Sequence, residues 1–60
     1  MDKGVKLAVT SAGGVSALAD ALGIRPQAVH QWVLIPPTRA IQIEKIFNIP
    51  RARLRPDLFR

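Results

Sequence analysis

The sequence lacks cysteine and contains a single histidine, His30. Disulfide bonds and thiolate metal sites are therefore excluded, and one imidazole cannot build a zinc site, so no metal or other cofactor is expected. A chain of 60 residues buries only about 60% of the surface that it exposes when unfolded, which leaves a thin margin of stability. Because oligomerisation is the remaining way to reinforce so small a domain, the composition favours self-association.

Long apolar runs and acidic residues are also scarce. No run approaches the length of a membrane span, and the N-terminus has no apolar stretch of the secretory kind, so we expect a cytoplasmic protein without membrane association. Nine basic residues against four acidic ones give a net charge of +5, which favours a polyanionic partner. Ribosomal, membrane-surface and nucleic-acid-binding proteins all share such a balance, so charge alone does not choose among them.

Apolar residues at the spacing of a helix face predict four helices. They run from Asp2 or Lys3 to Ala12, from Val15 to Leu22, from Pro26 to about Val33, and from a cap at Thr38 to about Phe47. Residues 50–54 can form one further helical turn, and no segment alternates as a strand would. We predict an all-α bundle of four helices plus a short C-terminal turn, forming one domain over residues 1–60.

The same periodicity predicts which side chains face the core. The inward residues are Val29, Trp32 and Val33 on the third helix, and Ala40, Ile43, Ile46 and Phe47 on the fourth. In the C-terminal segment, we expect Leu54, Leu58 and Phe59 to cover the bundle or a partner subunit, while Arg51, Arg53, Arg55 and Arg60 face water or phosphate. Three acidic residues are expected to be solvated: Asp20, Glu44 and Asp57.

Residues 15–33 have the pattern of a helix-turn-helix. Ala19 is small where two helices would cross, and Gly23, four residues later, allows the positive φ of a tight turn. Val29 and Trp32 follow at positions where the second helix must face its own core, so Trp32 is interpreted as a core anchor rather than a base-stacking residue. Together these constraints predict a helix-turn-helix whose second helix can lie in the DNA major groove.

The opposite face of that second helix carries Gln27, His30 and Gln31. Glutamine can form a bidentate pair with adenine, and histidine can donate to guanine, so we expect these residues to contact base edges. The alternative is a merely solvated helix face. A catalytic role for His30 is not supported, because no nucleophile or carboxylate is positioned to act with it, and no enzyme is expected.

Three further residues are expected to contact the DNA backbone. Arg25 stands at the entry of the third helix, and Arg39 opens the fourth helix beside it. Ser16 and the free amides at the start of the second helix offer an anion site for a phosphate. The alternatives are an ordinary exposed arginine for Arg25 and simple helix capping at Ser16.

Several segments together resemble the Cro and YdaS-type regulators of bacteriophages and prophages. They are residues 13–19, the run Gln-Ala-Val-His-Gln-Trp at 27–32, Ile35-Pro36, Ile43-Glu44, and Leu-Arg-Pro-Asp-Leu-Phe at 54–59. The resemblance implies a small repressor with a lambda-repressor-like fold, which binds double-stranded operator DNA in a bacterial cell, typically as a homodimer. By position, Gln27, His30 and Gln31 would read the operator, with Ser16, Arg25 and Arg39 on the backbone.

The chain departs from these families at two points. Many relatives carry serine at the position of His30, so the operator sequence cannot be inherited. No strand pattern follows the third helix, unlike Cro proteins that end in a β-hairpin, so the chain resembles the all-helical branch. Rival functions are a YdaS-type antitoxin or other protein-interaction module on the same fold, and a non-specific nucleic-acid binder. No small-molecule ligand is expected.

Overall fold

The computed structural model describes residues 1–59 and contains five helices within them. They are α1 (Lys3–Ala12), α2 (Val15–Leu22), α3 (Pro26–His30), α4 (Pro37–Phe47) and α5 (Arg51–Leu54). Over those residues no strand is present. The predicted all-α architecture is confirmed, and the predicted C-terminal turn is the single turn of α5. Arg60, one of the arginines expected to face water or phosphate, lies outside the described residues.

Local signals set the bounds of the first two helices. The Asp2 carboxylate accepts a hydrogen bond of 2.8 Å from the Val5 N–H and so caps the start of α1. Gly13 ends α1 in the left-handed region at φ 95°, and Gly14, at φ 136°, leads directly into α2. In the part of the chain that is described, no single helix is long and apolar enough to cross a membrane. The α1–α2 pair passes that test only together, with a bend of 85° between the two helices.

The core contains side chains from every helix and from the connections on both sides of α4. The buried apolar residues are Val5, Ala8, Leu18, Ala19, Leu22, Val29, Ile35, Ala40, Ile43, Ile49 and Leu54. Leu7, Ile24, Trp32, Phe47 and Phe59 are among the partly buried residues that pack against them. Trp32 is therefore part of the core packing, as predicted.

Helix α1 lies unusually close to α5. A Cβ atom built on Gly4 would overlap the backbone carbonyl of Leu54, and Gly4 itself is buried. Glycine is required here because only hydrogen fits between the two backbones. This contact fixes α5 against the N-terminal half of α1.

Two predicted core positions are wrong. Val33 is 77% exposed because α3 ends at His30: the Trp32 N–H donates to the Val29 carbonyl, three residues back, and the chain leaves the helical path before Val33. Ile46 is 46% exposed because the buried side of α4 is centred on Ala40 and Ile43, and Ile46 lies at its edge. The predicted cap at Thr38 is also wrong, since Pro36 caps a helix that begins at Pro37, where a missing N–H costs nothing.

The C-terminal segment is tied to the bundle by Arg55, which is only 9% exposed. Its Nη1 donates to the carbonyl of Ile35 at 2.7 Å. Its Nε and Nη2 donate to the two carboxylate oxygens of Asp57 at 2.9 and 2.7 Å. The expectations that Arg55 faces water or phosphate and that Asp57 is merely solvated are therefore wrong, because each neutralises the other. The hydrogen bond from Arg55 lowers the pKa of Asp57, and the same bond raises the pKa of Arg55.

Other side chains in this segment, and Glu44 of the neighbouring helix α4, have mixed environments. Glu44 is not simply solvated, since its carboxylate accepts a 2.7 Å hydrogen bond from the Arg51 N–H at the start of α5. The Arg51 guanidinium lies 5.1 Å from the centre of the Phe59 ring, a cation–π distance. Leu58 remains 49% exposed, so it does not cover the bundle as Leu54 and Phe59 do.

Candidate nucleic-acid interface

Helices α2 and α3 form a helix-turn-helix around Gly23. Gly23 adopts φ 71° and ψ 29°, the left-handed conformation that the tight turn requires. Its N–H donates to the Asp20 carbonyl at 3.2 Å, and the next N–H, of Ile24, donates to the Ala19 carbonyl at 3.0 Å. Ala19 and Val29 are both fully buried. The buried position of Ala19 and the left-handed conformation of Gly23 thus agree with the prediction from the sequence.

Helix α3 is short and depends on α2 for its position. It begins after Arg25, which has extended dihedral angles, and Pro26 occupies its first turn. Among the described helices, α3 packs against α2 and no other. Because five residues are too few for a helix to be stable alone, tertiary packing through Val29 must hold it.

The outward face of α3 brings the three predicted base-contacting residues together. Gln27, His30 and Gln31 are all exposed, while Val29 between them points into the core. Over residues 1–59, none of the three side chains forms a hydrogen bond within the chain. Their amide and imidazole groups are therefore free to meet an external partner.

The three predicted backbone-contacting residues occupy different settings. Ser16 is exposed on the first turn of α2, whose cap residue Gly14 provides no side-chain hydrogen bond. Arg25 is exposed immediately before α3. Arg39 is only half-exposed, so the structure places two of the three residues fully at the surface.

Arg39 forms contacts that the sequence analysis missed. Its Nη1 donates to Oε1 of Gln42 at 2.8 Å and lies 3.5 Å from the carbonyl oxygen of Leu22, the last residue of α2. The separation of three residues between Arg39 and Gln42 on one helix was a signal that could have revealed the pairing. The contact with Leu22 joins two helices, and no pattern in the neighbouring sequence indicates it.

The described surface presents more basic than acidic side chains. Of the four carboxylates, Asp2 and Glu44 accept backbone hydrogen bonds and Asp57 pairs with Arg55. Asp20 is exposed, as expected, and makes no side-chain hydrogen bond among residues 1–59. Six basic side chains are exposed against it, namely Lys3, Lys6, Arg25, Lys45, Arg51 and Arg53. This excess of positive charge is available to attract a polyanion.

The chain matches the family model described as bacterial toxin YdaS over residues 5–60. It belongs to the YdaS family. The structure of this YdaS-family protein is also similar to that of the Cro protein from the prophage element Xfaso 1 in Xylella fastidiosa strain Ann-1, with a TM-score of 0.85 and 36% sequence identity over 98% of each chain. No curated protein matches. The resemblance to Cro and YdaS-type prophage regulators is thereby confirmed, as is the all-helical form of the fold.

Proposed function

We propose that this YdaS-family protein is a sequence-specific DNA-binding transcriptional regulator that places α3 in the major groove of an operator. The observation that carries the proposal is the exposed face of Gln27, His30 and Gln31, whose side chains have no partner within residues 1–59. The face lies on a helix that a buried helix-turn-helix junction holds in place. The 36% identity to a prophage Cro protein supports the same function.

The chemistry of this face favours base edges over phosphates. Two amides and an imidazole offer both donors and acceptors, and these match the hydrogen-bonding pattern that each base pair presents in the major groove. Phosphates would instead be met by the positive charges around the face. We assign backbone contacts to Ser16, Arg25 and Arg39, and we treat residues 1–60 as one DNA-binding domain with the helix-turn-helix at about 15–33.

We further propose that the protein acts as a homodimer on a two-fold operator in the cytoplasm of a bacterium, where it represses transcription without any enzymatic activity. Two copies of α3 would then sit about 34 Å apart, one turn of the duplex. With two or three cationic phosphate contacts from each subunit, the slope of log affinity against log salt concentration would be about −4 to −5.

The test begins with selection of binding sites from random DNA by the wild-type protein. A two-fold symmetric site is expected, and its affinity is then compared with that of a mixed-sequence duplex. Gln27→Ala and Gln31→Ala should each weaken binding to the selected site by about 1–3 kcal/mol and relax the preference at one base position. Thr10→Ala, an exposed polar residue of α1, is the matched control and should bind as the wild type does.

The proposal is wrong if both glutamine variants keep the wild-type affinity for the selected and the mixed-sequence duplexes. A protein that selects no site at all would contradict it equally. Loss of affinity for both duplexes by the same factor would instead favour the non-specific nucleic-acid binder.

A second candidate is a toxin–antitoxin component or other protein-interaction module on the same fold. The family description names a toxin, and Val33 and Leu34, which follow α3, are exposed apolar residues of the kind that partner proteins cover. This candidate predicts that a defined host protein copurifies with the wild type and is lost on Val33→Ser, while Gln27→Ala and Gln31→Ala leave the cellular phenotype unchanged. The operator proposal predicts the reverse for the glutamine variants.

A further inference from the structure

Three arginines of the described chain differ in what holds their guanidinium groups. Arg55 donates to both carboxylate oxygens of Asp57, and the negative charge of Asp57 cancels the positive charge of Arg55. Arg53 is exposed and forms no side-chain hydrogen bond within residues 1–59, so its charge is free but its long side chain is not fixed. Arg39 is held in place, as Arg55 is, but it keeps its positive charge, as Arg53 does, because the group that holds it is neutral.

That neutral group is the side-chain amide of Gln42. The Gln42 oxygen accepts from Nη1 of Arg39 at 2.8 Å, and an amide removes no charge from the guanidinium. Nε and Nη2 of Arg39 have no partner among residues 1–59, and no buried side-chain nitrogen or oxygen there lacks a hydrogen bond. Nη1 of the guanidinium is therefore bonded to the protein, and its other two nitrogens are not buried and have donors to spare.

The location of this fixed charge adjoins the helix-turn-helix. Nη1 of Arg39 lies 3.5 Å from the carbonyl of Leu22, the residue directly before Gly23 and the turn into α3. An arginine held on α4 in this way is fixed relative to the C-terminal end of α2, from which the turn leads into α3. A phosphate bound by Arg39 would thus set the position of α3 relative to the bases that it would contact.

We infer that Gln42 is a positioning residue that holds Arg39 in place for a phosphate oxygen of the DNA backbone. This inference rests on the proposed function and adds a residue to it. An arginine that is free in solution loses rotamer freedom when it binds, whereas one that is already held loses less. Gln42 therefore raises affinity for any DNA sequence without touching the DNA itself.

The experiment is a double-mutant cycle on Arg39→Ala and Gln42→Met, measured on the selected site and on a mixed-sequence duplex. Arg39→Ala should weaken binding to both duplexes and reduce the magnitude of the log–log salt slope by about 1. Gln42→Met keeps the size of the side chain but removes the acceptor, and should weaken binding to both by about two- to tenfold. In the Arg39→Ala background, Gln42→Met should have no further effect, because nothing remains to be positioned.

Two further variants separate positioning from a structural role. Gln42→Asn retains the amide but shortens it beyond reach of Arg39, so it should weaken binding as Gln42→Met does. Gln42→Glu still accepts the hydrogen bond but cancels the charge, so it should weaken binding more than Gln42→Met. Thermal unfolding of each variant establishes that the protein is folded at the temperature of the titrations.

The inference is overturned if Gln42→Met weakens binding by the same factor with and without Arg39, since that is the signature of a structural effect. An unchanged salt slope for Arg39→Ala overturns it as well. In either case the proposed function stands as long as Gln27→Ala and Gln31→Ala lose selectivity. If the wild type binds neither duplex, both the inference and the proposed function fall.

Discussion

The Arg55–Asp57 pair of the C-terminal segment and the outer face of α3 both present polar groups, but their hydrogen bonding is opposite. In the C-terminal segment, Arg55 and Asp57 pair with each other, and the Arg51 N–H donates to Glu44 of α4. On α3, the side chains of Gln27 and Gln31 find none within the described residues. Polar groups that are satisfied internally stabilise the fold, whereas those left open are the ones that a ligand can use. The Arg55–Asp57 pair of the Leu-Arg-Pro-Asp ending is therefore structural, whereas the two glutamines are the residues that we propose contact DNA.

The largest effect is expected where the structural region is most tightly packed. Gly4→Ala places a methyl group on the backbone carbonyl of Leu54, and overpacking of this kind should lower the free energy of unfolding by about 3 kcal/mol. Urea denaturation of the variant measures the loss, with Ser11→Ala, an exposed position on α1, as the control. A stability equal to that of the wild type would show that α5 can move away from α1 at no cost.

The next effect concerns the ion pair and depends on pH. Because Arg55 lowers the pKa of Asp57 in the folded state, the pair stabilises the protein at pH values above the ordinary aspartate pKa of 3.8. That contribution is lost as the pH falls through the lowered pKa. Asp57→Asn should therefore lower the thermal midpoint at neutral pH, and the gap from the wild type should close in acid.

The matched control for this measurement is Asp20→Asn, since Asp20 is exposed and accepts no side-chain hydrogen bond among residues 1–59. Its thermal midpoint should follow that of the wild type at every pH. If Asp57→Asn shows a gap that is constant with pH, the carboxylate contributes through its shape and not through its charge.

The smallest effect on stability is expected at the end of α3. Val33 is 77% exposed, so Val33→Ser should change the free energy of unfolding by less than about 0.5 kcal/mol. Chemical denaturation tests this directly, and Val29→Ser, at a fully buried position, provides the contrasting loss. A large destabilisation by Val33→Ser would contradict the exposed position and show that the Val33 side chain packs in the core.

Local features of the sequence were enough to predict most of the fold. Gly13 and Gly23 end α1 and α2 where the sequence predicted, because a left-handed residue terminates a helix whatever packs around it. Asn48 ends α4 in the same conformation, at φ 56°. The end of α3 carries no such residue. The end of α3 could therefore not be predicted from a terminating residue, and the inward placement of Val33 was wrong.

The candidate site was predictable in part, for a similar reason. Gln27, His30 and Gln31 share a helix face by spacing alone, and the structure brings them together at the surface. The contact between Arg39 and Leu22 joins residues far apart in the chain, as does the bond from Arg55 to the Ile35 carbonyl. A residue's own neighbours in sequence do not report such partners. Arg55 was therefore expected to face water or phosphate, and Arg39 was assigned to the DNA backbone without its partners inside the chain.

The approach of Gly4 to Leu54 has a consequence for how the chain folds. This contact closes a loop of chain from Gly4 to Leu54. The entropic cost of closing so long a loop is offset only when α5 packs against α1. The contacts of α2 with α1 and with α3 join helices that are neighbours in the chain, so they form at lower entropic cost. We therefore expect α5 to dock after the transition state, so that Gly4→Ala speeds unfolding and leaves the folding rate nearly unchanged. On this account, the packing of α1 against α5 controls the unfolding rate and hence the lifetime of the folded state.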